Sequence, residues 1–255
     1  MARPELFQLE NHAASANPQP NRYVGVRFSK DRVFLPEAGN TVVRHVVPGS
    51  RTEGVLVELR ERLRNLPWGH RFAFTDVSSL HMTVFEGVIE TRRLPECWPK
   101  ELPVDAPLDE TTEYLAGRLE NFEGPGPFDM RIDEVTPFGL RLTGATDADE
   151  KTARAWRDSL TKPFTYRSPG HDAYTFHVTL AYIIDWIPDD LVPGYRQALA
   201  ELTEEFRRRI PVVELGPPAF CTFADMNGFP PVMNLPGSGL RPVVHPAGKT
   251  LTKAR

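Results

Sequence analysis

Two short segments of the chain repeat the pattern His, apolar residue, Thr, and both are predicted to be β-strands. They are His81-Met82-Thr83-Val84-Phe85 and His177-Val178-Thr179-Leu180-Ala181. Residues i and i+2 of a strand face the same side, so each segment presents an imidazole beside a hydroxyl. One neutral imidazole can accept a proton and a second, protonated one can donate a proton, because the imidazole pKa lies near neutrality. The two Thr hydroxyls can donate hydrogen bonds to phosphate oxygens. The pattern therefore predicts cleavage of a phosphodiester without a metal.

A single His-x-Thr pair in a strand is more often a hydrogen-bonded structural feature than a site. Here the pair occurs twice, each time in an apolar strand that follows a helix. That repetition favours the catalytic interpretation over the structural one.

The elements around the two motifs also repeat. Strand–helix–strand order is predicted over 41–47, 52–66 and 80–88, and again over 140–143, 147–160 and 176–184. Further helices are predicted over 108–119 and 189–208, and further strands over 128–135 and 212–215. The sequence therefore predicts an α+β protein of two related lobes.

Composition and termini set the remaining expectations. The chain has 255 residues, a net charge of −4 and 40% hydrophobic residues. We expect a single domain over 21–235 between loose tails at 1–20 and 236–255, because both ends are rich in small and polar residues. The balance of charge argues against a nucleic-acid coat, so DNA is not an expected partner. No apolar run of membrane-spanning length and no signal peptide are recognised, which predicts a cytoplasmic protein without a membrane partner.

No cofactor or metal is predicted. The chain lacks the Gly-rich phosphate loops of nucleotide-cofactor enzymes, and Cys97 and Cys221 are not in a zinc-binding spacing. The other histidines have no partner at metal-ligand spacing.

The twin His-x-Thr strands, about 96 residues apart in a repeated α+β frame, resemble the 2H phosphoesterase superfamily, which includes LigT-like RNA ligase/cyclic phosphodiesterases. Segments 39–43, 81–88, 172–174, 216–218 and 220–223 resemble one branch of it that is catalogued as a domain of unknown function. The resemblance spans roughly 24–232. It implies a bilobal fold in which duplicated antiparallel sheets and flanking helices surround a central cleft with pseudo-twofold symmetry. It also implies nucleotide phosphodiesters as substrates and no metal.

The chain departs from this pattern at one position. LigT-like members often carry Arg five residues after the second motif His, where this chain has Tyr182, and the equivalent residue after His81 is Glu86. A missing cation weakens the case for a long RNA backbone and leaves a small nucleotide as the expected substrate.

Several residues near the motifs are candidates for substrate binding. Each also has a simpler structural explanation, such as a core aromatic ring, a turn residue or a solvated cation. The candidates are Phe85, Tyr174, Tyr182, Asn40, Arg71 and Arg167.

We therefore predict a two-histidine phosphodiesterase acting on a nucleoside 2′,3′-cyclic phosphate or a related small phosphodiester or RNA end. His81 and His177 would be base and acid in an order that the sequence does not assign. Thr83 and Thr179 would hold the phosphate. Two alternatives remain, namely a nucleotide-binding module without turnover and an RNA-end ligase or processing enzyme. A monomer is the favoured oligomeric state.

Overall fold

The computed structural model describes residues 7–237. Within that range the α-helices are α1 (Arg51–Arg64), α2 (Leu108–Leu119), α3 (Asp147–Phe164) and α4 (Val192–Arg209). The strands are β1 (Gly39–Val46), β2 (Phe72–Phe74), β3 (His81–Ile89), β4 (Met130–Thr136), β5 (Gly139–Gly144), β6 (His177–Thr179), β7 (Ala181–Ile183), β8 (Leu215–Phe223) and β9 (Pro231–Asn234). The predicted α+β class is confirmed.

Two of the helices begin at capping residues. The Ser50 side chain accepts a hydrogen bond from the backbone of Glu53 at the start of α1. Thr146 and Asp149 form a reciprocal capping box at the start of α3. These contacts satisfy backbone N–H groups that a helix leaves unpaired at its first turn, so both helices begin within a residue of the predicted position.

Seven strands form one antiparallel sheet in the order β4-β5-β6-β3-β1-β8-β9, and β2 pairs with β7 in a separate ribbon. The two motif strands, β3 and β6, are neighbours near the middle of the large sheet and are joined through the pair Met82 and Val178. The structure therefore shows one large sheet rather than two separate sheets around a cleft. An internal duplication stays a prediction.

One face of the large sheet is covered by the helices and the other carries the motif residues. Met82, Val178 and Leu140 are buried in the main hydrophobic core together with apolar side chains of α1, α3 and α4. Since successive residues of a strand face opposite sides, the His and Thr residues that flank Met82 and Val178 lie on the face away from that core.

The strand predicted over 212–215 is misplaced, because β8 starts only at Leu215. Pro217 and Pro218 have no backbone N–H, and such residues argue against an inner strand. Here β8 nevertheless lies between β1 and β9, and the buried Arg44 donates to the carbonyl oxygens of Leu215 and Gly216 at 3.0 and 2.7 Å. A guanidinium from the neighbouring strand thus satisfies acceptors at the start of this proline-containing strand.

The N-terminal segment differs from the expected loose tail. Residues Leu9–His12 and Ala14–Ala16 form two short 3-10 helices, and Leu9 and Ala13 are buried. The backbone of Ala14 donates to Ile187, at 2.8 Å, which ties the segment to the rest of the protein. Leu9 and Ala13 anchor the segment against the core, whereas Ala14 and Ala16 remain exposed. Residues 1–6 and most of the predicted tail 236–255 lie outside the described residues.

Within residues 7–237 no helix combines the length and apolar character needed to cross a bilayer.

Candidate active site

Four polar side chains meet on the open face of the large sheet: His81, Thr83, His177 and Thr179. The pair Met82 and Val178 fixes the antiparallel register between their strands. In that register His81 lies opposite Thr179, and Thr83 lies opposite His177. Side chains directly opposite in such a pair have Cβ atoms about 4.5–5.5 Å apart. The arrangement is a square with imidazoles on one diagonal and hydroxyls on the other, related by an approximate twofold axis through the Met82–Val178 pair.

Both imidazoles are oriented by the same backbone contact. Nδ1 of His81 lies 2.6 Å from the carbonyl oxygen of Ser79, and Nδ1 of His177 lies 2.8 Å from that of Thr175. A carbonyl oxygen can only accept, so in each neutral ring Nδ1 carries the proton and Nε2 has the lone pair. Both rings are therefore held in the tautomer whose Nε2 can take or deliver a proton.

A β-bulge in β3 decides which residues share this face. Val43 pairs with Thr83 while the adjacent Val42 pairs with Phe85, so β3 carries one extra residue at this point. Phe85 therefore points to the core, where its ring packs on Phe164 at 4.7 Å between centroids and it is 1% exposed. Alternation along the strand would place Phe85 on the same face as His81 and Thr83, but the bulge turns its ring away from them. The structure therefore shows the simpler of the two explanations for Phe85, a core aromatic ring.

The same bulge returns Glu86 to the side of the motif residues. Thr41, Val43 and His45 alternate along β1 and pair with Glu86, Thr83 and His81. Glu86 is ion-paired with Arg92 at 3.3 Å. The carboxylate is thus balanced by a cation of its own and does not face the motif residues as an isolated negative charge.

The second motif strand has a similar irregularity. The backbone N–H groups of Leu180 and Ala181 both donate to the carbonyl oxygen of Phe138, at 2.7 and 3.0 Å. The strand is interrupted at this point, and the chain continues as β7, which pairs with β2 in the small ribbon. Tyr182 comes after this break in the second motif strand, just as Glu86 comes after the bulge in β3. Its ring lies in an aromatic group with Phe28 and 5.7 Å from the guanidinium of Arg27.

His81 is enclosed by residues that the sequence did not single out. The ring of Phe229 lies 4.0 Å from it between centroids, and His45 lies at 6.5 Å. Nε2 of His45 contacts the carbonyl oxygen of Phe229 at 3.0 Å. The pKa of His81 is lowered to about 4, mainly by burial and to a smaller extent by His45 and His177, while the contact with Ser79 acts in the opposite direction. His81 is therefore neutral at physiological pH.

Tyr174 lies at the edge of the square. Its ring is 5.8 Å from that of His177, and Thr83 is close enough to affect its hydroxyl. Burial raises the pKa of this hydroxyl, so it remains a donor. The guanidinium of the buried Arg157 lies 3.8 Å from the centre of the Tyr174 ring and also donates to the carbonyl oxygen of Val84 at 2.7 Å, within the bulge of β3. Arg157 thus connects Tyr174 to the motif strand.

Three predicted candidates have other partners in the structure. Asn40 is fully buried in β1 and bonds the hydroxyl of Thr112 at 3.0 Å and the backbone of Val88 at 3.2 Å, so it joins β1 to α2 and β3. Arg71 is ion-paired with Asp185 at 2.8 Å, on the surface.

Arg167, the third candidate, contacts the carboxylates of Asp158 and Asp172. A guanidinium held by two acids has little capacity left to clamp a phosphate. None of these three residues lines the cavity beside the second motif.

A cavity of about 610 Å³ adjoins the second motif. His177, Thr179 and Tyr182 form one side of it, and Arg141 of β5 lies directly opposite His177 in the sheet. Arg141 is held by Glu134 at 3.2 Å. The opposite wall consists of residues from the N-terminal segment and from the β4–β5 turn: Phe7, Gln8, Asn11, His12 and Phe138.

Arg141 and the N-terminal wall were missed by the reasoning from sequence. A charged residue between two leucines in a predicted strand was a usable signal for Arg141. The N-terminal residues gave no signal, because their place depends on contacts with distant parts of the chain. Among residues 7–237 no group of three or more His, Cys, Asp or Glu side chains is placed to hold a metal ion.

Comparison with known proteins relates the chain to a protein family and to a solved structure. The family model 2H-phosphodiest, described as a domain of unknown function (DUF1868), matches residues 27–141, which include the first motif and end before the second. The crystal structure of a conserved protein of unknown function, ATU0111 from Agrobacterium tumefaciens, is similar with a TM-score of 0.87 and 44% sequence identity. That similarity covers 89% of this chain and 97% of the other. No curated protein matches the chain.

Proposed function

This chain belongs to the 2H-phosphodiest family (DUF1868), and from that premise we propose that it is a phosphodiesterase in which His81 and His177 are the acid–base pair. The observation that carries the proposal is the square on the open face of the sheet. It brings two imidazoles and two Thr hydroxyls together, and each imidazole has its Nδ1 bonded to a backbone carbonyl.

The chemistry follows from these positions. Nε2 of one imidazole removes a proton from water as the water oxygen bonds to phosphorus. The bond from phosphorus to the leaving alkoxide breaks, and Nε2–H of the other imidazole protonates that alkoxide. Negative charge grows on the non-bridging oxygens, where Thr83 and Thr179 donate hydrogen bonds. The products are a phosphomonoester and a free hydroxyl group, which belong to the same molecule when the substrate is a cyclic phosphate. The first imidazole ends protonated and the second neutral, and proton exchange with water restores the starting forms.

We assign the base to His81 and the acid to His177. His81 lies under Phe229 and burial lowers its pKa to about 4, so its ring is neutral and ready to accept a proton. His177 borders the open cavity, so water can reach its ring and exchange protons with it.

The substrate class that fits best is a nucleoside 2′,3′-cyclic phosphate or a related small phosphodiester. The cavity beside His177 has room for one nucleoside, and small ligands occupy clefts of about 300–1,000 Å³. The cations near the motifs, Arg27, Arg92 and Arg141, are each paired with a carboxylate. Such pairing does not favour a long RNA backbone, which binds mainly through unpaired cations.

The two alternative functions would give different results in binding and activity assays. A binding module would hold the nucleotide in the same cleft without turnover. An RNA-end ligase or processing enzyme would show activity that depends on RNA length and on salt. The LigT-like duplication, the single domain over 21–235, the cytoplasmic location and the monomeric state stay predictions.

The decisive experiment is turnover of the four nucleoside 2′,3′-cyclic monophosphates in the presence of EDTA. We expect the wild type to hydrolyse at least one, and His81→Ala and His177→Ala each to lower kcat by about 10²–10⁴-fold. His70→Ala is the matched control, because this histidine lies in the surface turn before β2 and is not part of the square.

Circular dichroism and urea unfolding would show that each variant is folded. A folded wild type that turns over none of the four substrates would contradict the cyclic-phosphate assignment. Loss of activity on adding EDTA would contradict the metal-independent mechanism.

A further inference from the structure

The N-terminal segment builds a wall of aromatic rings next to the proposed phosphate site. Phe7, His12 and Phe138 contact one another, with ring centroids 5.0 Å apart for Phe7 and His12 and 4.9 Å for His12 and Phe138. Phe7 meets Phe138 edge-on at 5.6 Å. All three line the cavity that also holds His177 and Thr179.

This wall is fixed both to the core and to the second motif. The backbone N–H of Phe7 donates to Glu134 at 2.9 Å, and the carbonyl of His12 accepts from Ile187 at 3.0 Å. The carbonyl of Phe138 accepts both N–H groups that follow Thr179. The distance between the rings and the motif is therefore set by backbone hydrogen bonds.

Most of the surface that lines the cavity is apolar. Phe7 and Phe138 are only partly buried although they pack on the main core, so parts of both rings remain open to the cavity. Exposed aromatic faces next to a phosphate site favour a flat, aromatic group attached to the phosphate. The family match begins at residue 27, so Phe7 and His12 lie outside the part of the chain that it covers.

We propose that Phe7, His12 and Phe138 form a subsite that binds the nucleobase of the substrate, so that the N-terminal segment determines preference for a nucleotide over a bare phosphate ester. This inference rests on the proposed function for its phosphate site. The base stacks on the aromatic wall while the phosphate lies between the two motifs, and the ribose spans the cavity between them.

Isothermal titration with two probes tests the subsite without requiring turnover. The probes are adenosine 3′-monophosphate and inorganic phosphate, each titrated into the full chain. We expect the wild type to bind the nucleotide more tightly than phosphate. Since base–aromatic stacking contributes about 1–3 kcal/mol per base, Phe7→Ala and His12→Ala should each raise Kd for the nucleotide by about 5- to 100-fold. Kd for phosphate should stay unchanged.

Phe122→Ala is the matched control, because this partly buried ring packs on Trp156 at 5.8 Å and does not line the cavity. It should alter neither Kd. His177→Ala should weaken the binding of both ligands, and this variant therefore tests the phosphate site itself.

The possible results separate the two proposals. If the wild type binds phosphate and nucleotide equally, or if Phe7→Ala and His12→Ala leave the nucleotide Kd unchanged, the subsite is refuted while the phosphodiesterase proposal stands. If the wild type binds neither probe, both proposals fail. A Kd for nucleotide that rises in the two N-terminal variants, with the Kd for phosphate unchanged, supports the subsite even if no turnover is found.

Discussion

Removing the ring of Phe229 should raise the pKa of His81. This ring lies 4.0 Å from His81, is 8% exposed, and belongs to a buried cluster on the β1–β8 side of the open face. The substitution Phe229→Ala lets water reach the imidazole. His45 should remain in place, because it contacts the backbone carbonyl of Phe229 rather than the ring.

The magnitude follows from the position of His81. Its pKa of about 4 lies below the ordinary value of 6.5, and one pKa unit corresponds to about 1.4 kcal/mol. Burial therefore costs the protonated ring about 3 kcal/mol, which is an upper limit because the ring keeps some contact with solvent. We expect Phe229→Ala to remove part of this penalty and so to raise the pKa of His81 by about one to two units.

The assay is an NMR titration of the imidazole signals, assigned with His81→Gln. Phe223→Ala serves as the control, since this ring belongs to the same cluster and packs on Phe229 at 5.4 Å. The control should shift the pKa of His81 much less. A wild-type pKa near 6.5, or one that Phe229→Ala leaves unchanged, would refute the reasoning.

The same shift predicts how stability depends on pH. The folded pKa of His81 is below the unfolded value, so between about pH 4 and pH 6.5 the unfolded chain binds more protons. The contribution of His81 to the free energy of unfolding is therefore complete above pH 6.5 and declines as the pH falls toward 4. Urea unfolding should show this decline in the wild type and a smaller one in Phe229→Ala.

Four further substitutions test the site and the scaffold that supports it. Thr83→Val and Thr179→Val each remove a hydroxyl donor, so kcat/KM should fall by about 10- to 1000-fold with little loss of stability, and unchanged kinetics would remove the Thr residues from phosphate binding. Tyr174→Phe should lower kcat/KM by about tenfold or more if its hydroxyl bonds a charged phosphate oxygen, whereas a change in unfolding free energy alone would show a structural role. Asn40→Ala should instead destabilise the fold by about 2 kcal/mol in urea, because it breaks two buried hydrogen bonds, and should leave kcat unchanged. A large fall in kcat for the folded Asn40→Ala protein would contradict its assignment to the scaffold.

The pairing of His with Thr in each motif was visible in the sequence, because alternation along a strand is a local property. The helices were predictable for the same reason, since α2 and the capped starts of α1 and α3 depend on residues within a few positions of each other. Local periodicity and capping need no distant partner.

The tertiary structure decided on which face of the sheet each residue of the motif strands lies. Phe85 is two positions after Thr83, which predicts a shared face, but the bulge between β1 and β3 turns it into the core. A bulge depends on how two strands distant in sequence pair, and Arg157 of α3 bonds a carbonyl within it. No sequence pattern within 81–89 predicts that contact.

The surroundings of the two histidines also depend on long-range packing. Phe229 covers His81 from a segment about 150 residues away along the chain, and the N-terminal rings reach the second motif across a similar separation. The sequence by itself determined which groups could perform the chemistry and that they would come in two strands. Only the tertiary structure decided that those strands are adjacent, that one imidazole is buried while the other borders a cavity, and that residues of the segment 7–12 line that cavity. Each of these depends on contacts between segments that no local pattern connects.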